Sequence, residues 1–392
     1  MNVLTNDSPT ALAEQRKWIS VRTVRTYGMI FALIVLWIAL TLITDGVFIE
    51  PRNLSNLMRQ TAVTGVLAVG MVMVIVAGQI DLSVGSLVGL SGMVAVLVQA
   101  SFHWSLTLSL LAGVIAGLLA ATLQGVLIVY AQVPSFIVTL GGLLAWRGVT
   151  KGLSGGNTYP IEIPAFKSIG QSYVSGSVGI ILAAISITFA VAWTLRHSRA
   201  RRFSRTPRSG SRETAIRVLF PVFIVLLFFL VLNQYSGVPV PVVIFFFLAS
   251  VGAFLMEDTV FGRHLYAIGG NQDAARLSGI NLNSHVLVVF TILGGLAAIA
   301  GIVYTARVGS AGPDAGTLLE LDAIAACVIG GASLMGGRGT VFGACLGALF
   351  MTSLDNGMSL KNVPDFTQDI VKGGVLVSAV ALDMLGRRSR RS

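Results

Sequence analysis

From residue 27 onward the chain alternates long apolar runs with short polar or glycine-rich breaks. A bilayer-crossing helix needs about 20 mostly apolar residues, and 27–44 (YGMIFALIVLWIALTLIT) comes close to that without a single charge. Further runs follow at 60–78, 84–100, 105–130, 134–150, 178–195, 218–232, 240–256, 285–305, 321–335, 341–358 and 369–385. Together they predict about twelve crossings, the fold class of an all-α polytopic membrane protein.

Two junctions do not read as ordinary loops. Residues 78–85 (GQIDLSVG) and 330–339 (GGASLMGGRG) look like interrupted or re-entrant backbone. Such backbone survives at membrane depth only where protein or a water-filled cavity satisfies its polar groups, so both point to a pathway. Glycine pairs such as Gly113 with Gly117 and Gly343 with Gly347 allow close helix packing. Residues 60–150 and 285–385 each hold four runs and start from opposite sides, an arrangement compatible with an inverted repeat.

Charge fixes the expected orientation. Residues 196–217 carry eight arginines against the single acid Glu213, which marks a cytoplasmic loop and, working outward, puts both chain ends inside. On that frame 1–26 is a cytoplasmic segment, 27–386 the transmembrane domain, 258–284 a second cytoplasmic loop and 387–392 a basic cytoplasmic tail. The first run follows Arg16, Lys17, Arg22 and Arg25, lacks a small-residue cleavage pattern and reads as a retained helix. Hydrophobic residues make up 54% of the chain and charged residues 11%, which excludes an ordinary water-soluble domain. The net charge of +10 falls mainly between apolar runs and at the ends, so topology accounts for it without a nucleic-acid partner.

Candidate chemistry is sparse. Cys327 and Cys345 lie in apolar runs and read as packing residues, and the four histidines show no metal-ligand spacing. The dipeptide Gly-Lys is absent, so the chain has no phosphate-binding G-x-x-x-x-G-K-[ST] loop. Asp81 with Ser83 either caps the helix starting at residue 84 or belongs to a gate. Asp355 and Asn356, with Gln79, Gln124 and Trp146, could meet polar cargo or simply join helices. Outside, 45–52, 151–174 and 307–319 offer Lys151, Glu162, Lys167, Arg307 and Asp314, with Glu320 beside them, as a solvated rim or a docking surface.

The stretch 262–280 (GRHLYAIGGNQDAARLSGI) contains a short helix in prospect: Asn271 as cap, Gln272 to Leu277 as body, Gly279 as stop. It serves equally as a docking knob or as a connector. Together with IDLSVGS at 80–86, VPSFIVTLGG at 133–142 and LDAIAACVIGGASLMGGRGTVFGA at 321–344, it resembles the permease family of ribose-type monosaccharide importers of the ATP-binding-cassette class. LDNGMSL at 354–360, VPDF at 363–366 and the extra helix pair around the arginine-rich loop are most similar to its xylose-type members.

The resemblance implies a transport subunit of a bacterial inner membrane, not an enzyme, with no cofactor of its own. Its implied partners are a separate ATPase, a periplasmic sugar-binding protein and a second permease, expected as a homodimer in membrane lipid. It also implies that Gly270, Asn271, Ala274, Ala275, Arg276, Leu277 and Gly279 form a coupling helix, with Arg276 against the ATPase. Two rivals remain open on sequence alone. An ion-coupled secondary transporter fits twelve crossings but finds only a faint loop signature at 258–263. A membrane-embedded transferase would need convergent acids, bases or metal ligands, and none are spaced for it.

Overall fold

The computed structural model describes residues 28–174 and 228–388, with single positions at 179, 181, 184, 188 and 226. The segment 1–26, the arginine-rich loop 196–217, the last four residues of the tail and most of the runs at 178–195 and 218–232 lie outside the described residues.

The described chain is helical almost throughout. Helix α1 (Gly28–Ile43) leads through a 3-10 turn (Val47–Ile49) to α2 (Pro51–Val76), whose proline occupies a first-turn position where no backbone donor is needed. Then come α3 (Val84–Phe102), α4 (Leu106–Tyr130), α5 (Ser135–Ser154) and the short α6 (Pro164–Gln171). After the undescribed interval follow α7 (Val240–Glu257), α8 (Val260–Gly270), α9 (Gln272–Leu277), α10 (Leu282–Val308), α11 (Leu319–Ile329), α12 (Val341–Leu360) and α13 (Asp365–Arg388). Two minimal antiparallel ladders tie loops together: β1 (Tyr159–Pro160) with β4 (Ser310–Ala311), and β2 (Tyr173–Val174) with β3 (Val238–Pro239).

Among the described residues, five helices are long and apolar enough to cross a membrane: α2, α3, α4, α7 and α10. Their burial sorts them into layers. The most apolar window of α2 is 89% buried, against 28% for α4 and for α7. An apolar helix must face protein or lipid, so α2 is the core of the bundle while α4 and α7 keep an outward apolar face. Helix α10 packs on α2, α3 and α4, and α12 covers another side of α2. The leading helices of the two proposed repeats, α2 and α10, therefore meet at the centre.

The glycine pairs do close helix crossings. A Cβ on Gly113 would stand 2.7 Å from the Ser91 carbonyl oxygen, one on Gly347 would collide with α11 backbone at Ala326, and one on Gly343 with Gly330 just past the end of α11. Two expectations need correction. The run at 321–335 is not one continuous helix: α11 holds 11 residues, about 16 Å of helix against a hydrocarbon core of about 30 Å, and non-helical backbone follows it from Gly330. Residues 258–284 are not simply a loop, because Thr259 accepts a hydrogen bond from the Gly262 amide at 3.2 Å and so starts α8.

Candidate functional site

The knob forms as its residue types dictate. Asn271 Oδ1 accepts from the Ala274 amide at 3.0 Å, and Gly279, at φ +80, receives the chain as it leaves the helix. Asn281 then caps α10, accepting from the Ser284 amide at 3.1 Å. Within α9, Ala275 is turned inward and buried, whereas Leu277 is 90% exposed. Gly270, Asn271, Ala274, Arg276 and Gly279 are exposed as well. The arm α8 is braced on α10 by a His264 Nδ1 to His285 Nε2 contact of 3.0 Å, while His285 Nδ1 faces the Asn281 carbonyl at 2.7 Å. Since Nδ1 of His285 meets an acceptor, it carries the proton, and its Nε2 accepts from His264.

The root of the knob touches both backbone breaks. A Cβ on Gly269 would collide with the Val76 carbonyl oxygen and stand 2.5 Å from the Gly337 amide nitrogen. One on Gly336 would lie 2.9 Å from the Cα atoms of Gly269 and Gly78. The Gly337 amide donates to the Val76 carbonyl at 2.9 Å, and Tyr266 Oη donates to the Gly339 carbonyl at 2.7 Å. Gly78, Gly336 and Gly337 all have positive φ, a conformation other residues seldom adopt. Three segments distant in sequence thus meet backbone to backbone at the base of α8 and α9. Sequence reasoning singled out each segment but not their meeting, and it missed Tyr266.

Just above the first break lies a polar cluster. Asp81 Oδ1 accepts from the Ser83 amide at 2.6 Å and from its hydroxyl at 2.7 Å, and Gln124 Oε1 lies 2.9 Å from that hydroxyl. One hydroxyl has one proton, so Ser83 serves Asp81 or Gln124 but not both at once. Of the two residues expected to cap α3, Ser83 is corrected here: it holds the N-cap position without a side-chain bond to the first turn, because its hydroxyl is engaged with Asp81, and it is the Asp81 carboxylate that accepts an amide at the helix start.

Glu320 is also corrected: it is buried, not on the rim. The backbone turns inward at Gly316 (φ +76) and Leu318 (φ +65), which brings the carboxylate against Gly85 in the first turn of α3. Asp81 Oδ2, Gln124 Nε2, Glu320 Oε2 and Trp146 Nε1 are all buried without a hydrogen-bond partner.

The other expected pathway residues are engaged elsewhere. Asn356 and Asn53 exchange amide hydrogen bonds of 2.8 and 3.1 Å. Asp355 meets Lys372 Nζ at 3.0 Å, and Asp322 meets the same nitrogen at 3.3 Å, a triad across α11, α12 and α13. A lone lysine in the run 369–385 was the available signal for it. On the rim, Lys151 and Asp314 pair at 2.9 Å, and that contact holds the Asp314 carboxyl below the usual carboxylate range. Among the described residues no group of three or more His, Cys, Asp or Glu side chains is placed to hold a metal.

Between α9, the end of α4 and the start of α10 opens a cleft of about 210 Å³ whose polar lining is Gln79, Gln132, Gln272, Arg276 and Asn283.

Residues 53–380 match the family described as branched-chain amino acid transport system / permease component. The chain is 46% identical over 364 residues to the xylose transport system permease protein of Escherichia coli (strain K12), covering 93% of each. It is also 46% identical to the protein of that name from Haemophilus influenzae, covering 93% of this chain and 97% of the relative. Similarity to the ribose import permease protein of Escherichia coli (strain K12) is 35%, covering 90% and 92%. No solved structure matches the chain.

Proposed function

We propose, from the premise that this chain belongs to the branched-chain amino acid transport system / permease component family, that it is the membrane-spanning subunit of an ATP-driven monosaccharide importer with D-xylose as its cargo. The observation that carries the mechanism is the exposed knob α9 rooted by glycine backbone on both breaks of the bundle. A rigid helix gripped from outside moves whatever its base is fixed to. Here the base is fixed to residues 76–78 and 336–339, beside the buried Asp81, Ser83 and Gln124.

In this reading a separate ATPase grips Gly270, Asn271, Ala274, Arg276 and Leu277, with Ala275 and Gly279 setting the seat of the helix. The chain crosses the inner membrane about twelve times with both ends inside, and a second copy completes the pathway. A periplasmic binding protein delivers sugar to the opposite rim, where Lys151, Glu162, Lys167, Arg307 and Asp314 lie. Gln79, Asp81, Ser83, Gln124 and Trp146 line or gate the route; Asp355 and Asn356 support it through their helix contacts.

The test is reconstitution with the ATPase and binding protein. ATP-dependent D-xylose uptake is expected, and Ala275→Glu or Gly279→Glu should leave the complex assembled while abolishing sugar-stimulated ATP hydrolysis. Sugar moved by this polypeptide alone on an ion gradient would overturn the reading.

A further inference from the structure

Besides Gln79 and Arg276, already assigned to the route and the grip, the cleft beneath α9 is lined by Gln132, Gln272 and Asn283, which neither role requires. Four amide side chains, Gln79, Gln132, Gln272 and Asn283, face it together with Arg276, above an apolar floor that includes Val129 and Ile268. None of these five polar side chains is hydrogen-bonded or ion-paired to another described residue. Each amide offers two N–H donors and a carbonyl acceptor, while arginine offers donors only.

That inventory selects a ligand class. A metal cation lacks a carboxylate here, since none lines the cleft. A phosphate or carboxylate could use the guanidinium and the amide N–H groups, but having no donor of its own it would leave the four carbonyl acceptors unused. An uncharged polyhydroxyl ring, with hydroxyls that both donate and accept and an apolar face for the floor, uses every group present. The volume, about 210 Å³, is below the roughly 300–1,000 Å³ of sites for drug-sized ligands, which fits a single monosaccharide.

We infer that this cleft binds one free monosaccharide on the face carrying α9, and that its occupancy restrains the knob. Gln272 and Arg276 belong to α9, whereas Gln132 and Asn283 belong to the bundle at α4 and α10, so a ring bridging them ties the moving element to the fixed one. Accumulated sugar on that side then slows the importer. The inference rests on the sugar-permease reading and adds a second site and a feedback to it.

The complete importer, reconstituted with its ATPase and binding protein, tests it. D-xylose added to the ATPase side should slow uptake in the wild type. Gln132→Ala with Asn283→Ala should require at least about fivefold more sugar for the same slowing, with uptake unchanged when no sugar is added there. Equal slowing in both proteins, or none in the wild type, overturns the proposal. So does displacement of bound D-xylose by inorganic phosphate at lower concentration than by ribose, which would mark an anion site. If the double variant does not assemble, Asn283→Ala alone carries the same comparison. An importer that moves no pentose at all would sink the transport reading, while scintillation-proximity binding of D-xylose to the same complex, weakened by the double variant or not, still decides the cleft.

Discussion

Two carboxylate pairs lie inside the bundle, and the structure treats them in opposite ways. Asp322 and Asp355 share Lys372, and the triad joins α11, α12 and α13. Asp81 and Glu320 flank the start of α3 with no ion pair among the described residues; each keeps one buried oxygen without a hydrogen bond, as Asp355 does in the triad, so the difference between the two pairs is the lysine. The positive end of the α3 dipole offers them partial compensation. A buried charge without a partner is costly, so the closed triad reads as architecture. The open pair leaves polar atoms without a charged partner beside a break in the backbone, as the pathway role proposed for Asp81 requires.

The sharpest way to break this contrast is Lys372→Met against Asp81→Asn. Removing the lysine strands two carboxylates and should cost up to about 3 kcal/mol, read as a lower melting temperature of the solubilised complex. Asp81→Asn should leave melting nearly unchanged yet reduce uptake at least about tenfold, equivalent to 1.4 kcal/mol of lost interaction. Equal melting losses would make both clusters structural.

Next in size is the glycine clasp, which meets the break next to the open pair and not the closed triad. Gly337→Ala puts a Cβ at φ +70 against Gly270, a strain of about 1–2 kcal/mol, and should cut sugar-stimulated ATPase severalfold while the subunits still copurify. Full stimulation would mean that the knob transmits its motion by another route. Asp355→Asn is milder, because Lys372 keeps Asp322. Uptake should fall modestly, with the sugar affinity of the separate binding protein unchanged; a loss as deep as that of Asp81→Asn would move Asp355 to the pathway.

The smallest effect belongs to the rim. Lys151→Ala removes an exposed pair and should slow docking of the binding protein at low salt only, with no change in melting. Because Lys151 lowers the Asp314 pKa, the pair persists throughout the neutral range and is lost only as pH falls through that lowered value. Salt-independent loss of docking would point to shape instead.

Most of the helical order was legible from runs of apolar residues, and α9 was legible to its ends, because Asn271 and Gly279 act through bonds within a few residues of themselves. Helix α8 was hidden by its mixed polarity, and α11 was overextended because the apolar run continues past the point where Gly330 and Gly331 release the helix. Glu320 and Asp355 were assigned by position along the chain, yet their environments come from residues 235 positions and 17 positions away, Gly85 and Lys372.

The sequence by itself determined the membrane class, the family, the knob with its caps and the two glycine breaks, since each is written in local composition or in spacing that a short segment satisfies alone. Only the tertiary structure decided that both breaks meet the root of the knob, that one carboxylate pair shares a lysine while the other has none, and that five unengaged polar side chains surround one cleft. Those outcomes depend on which distant helices touch, and contact between helices is set by the packing of the whole bundle, which no single stretch of residues encodes.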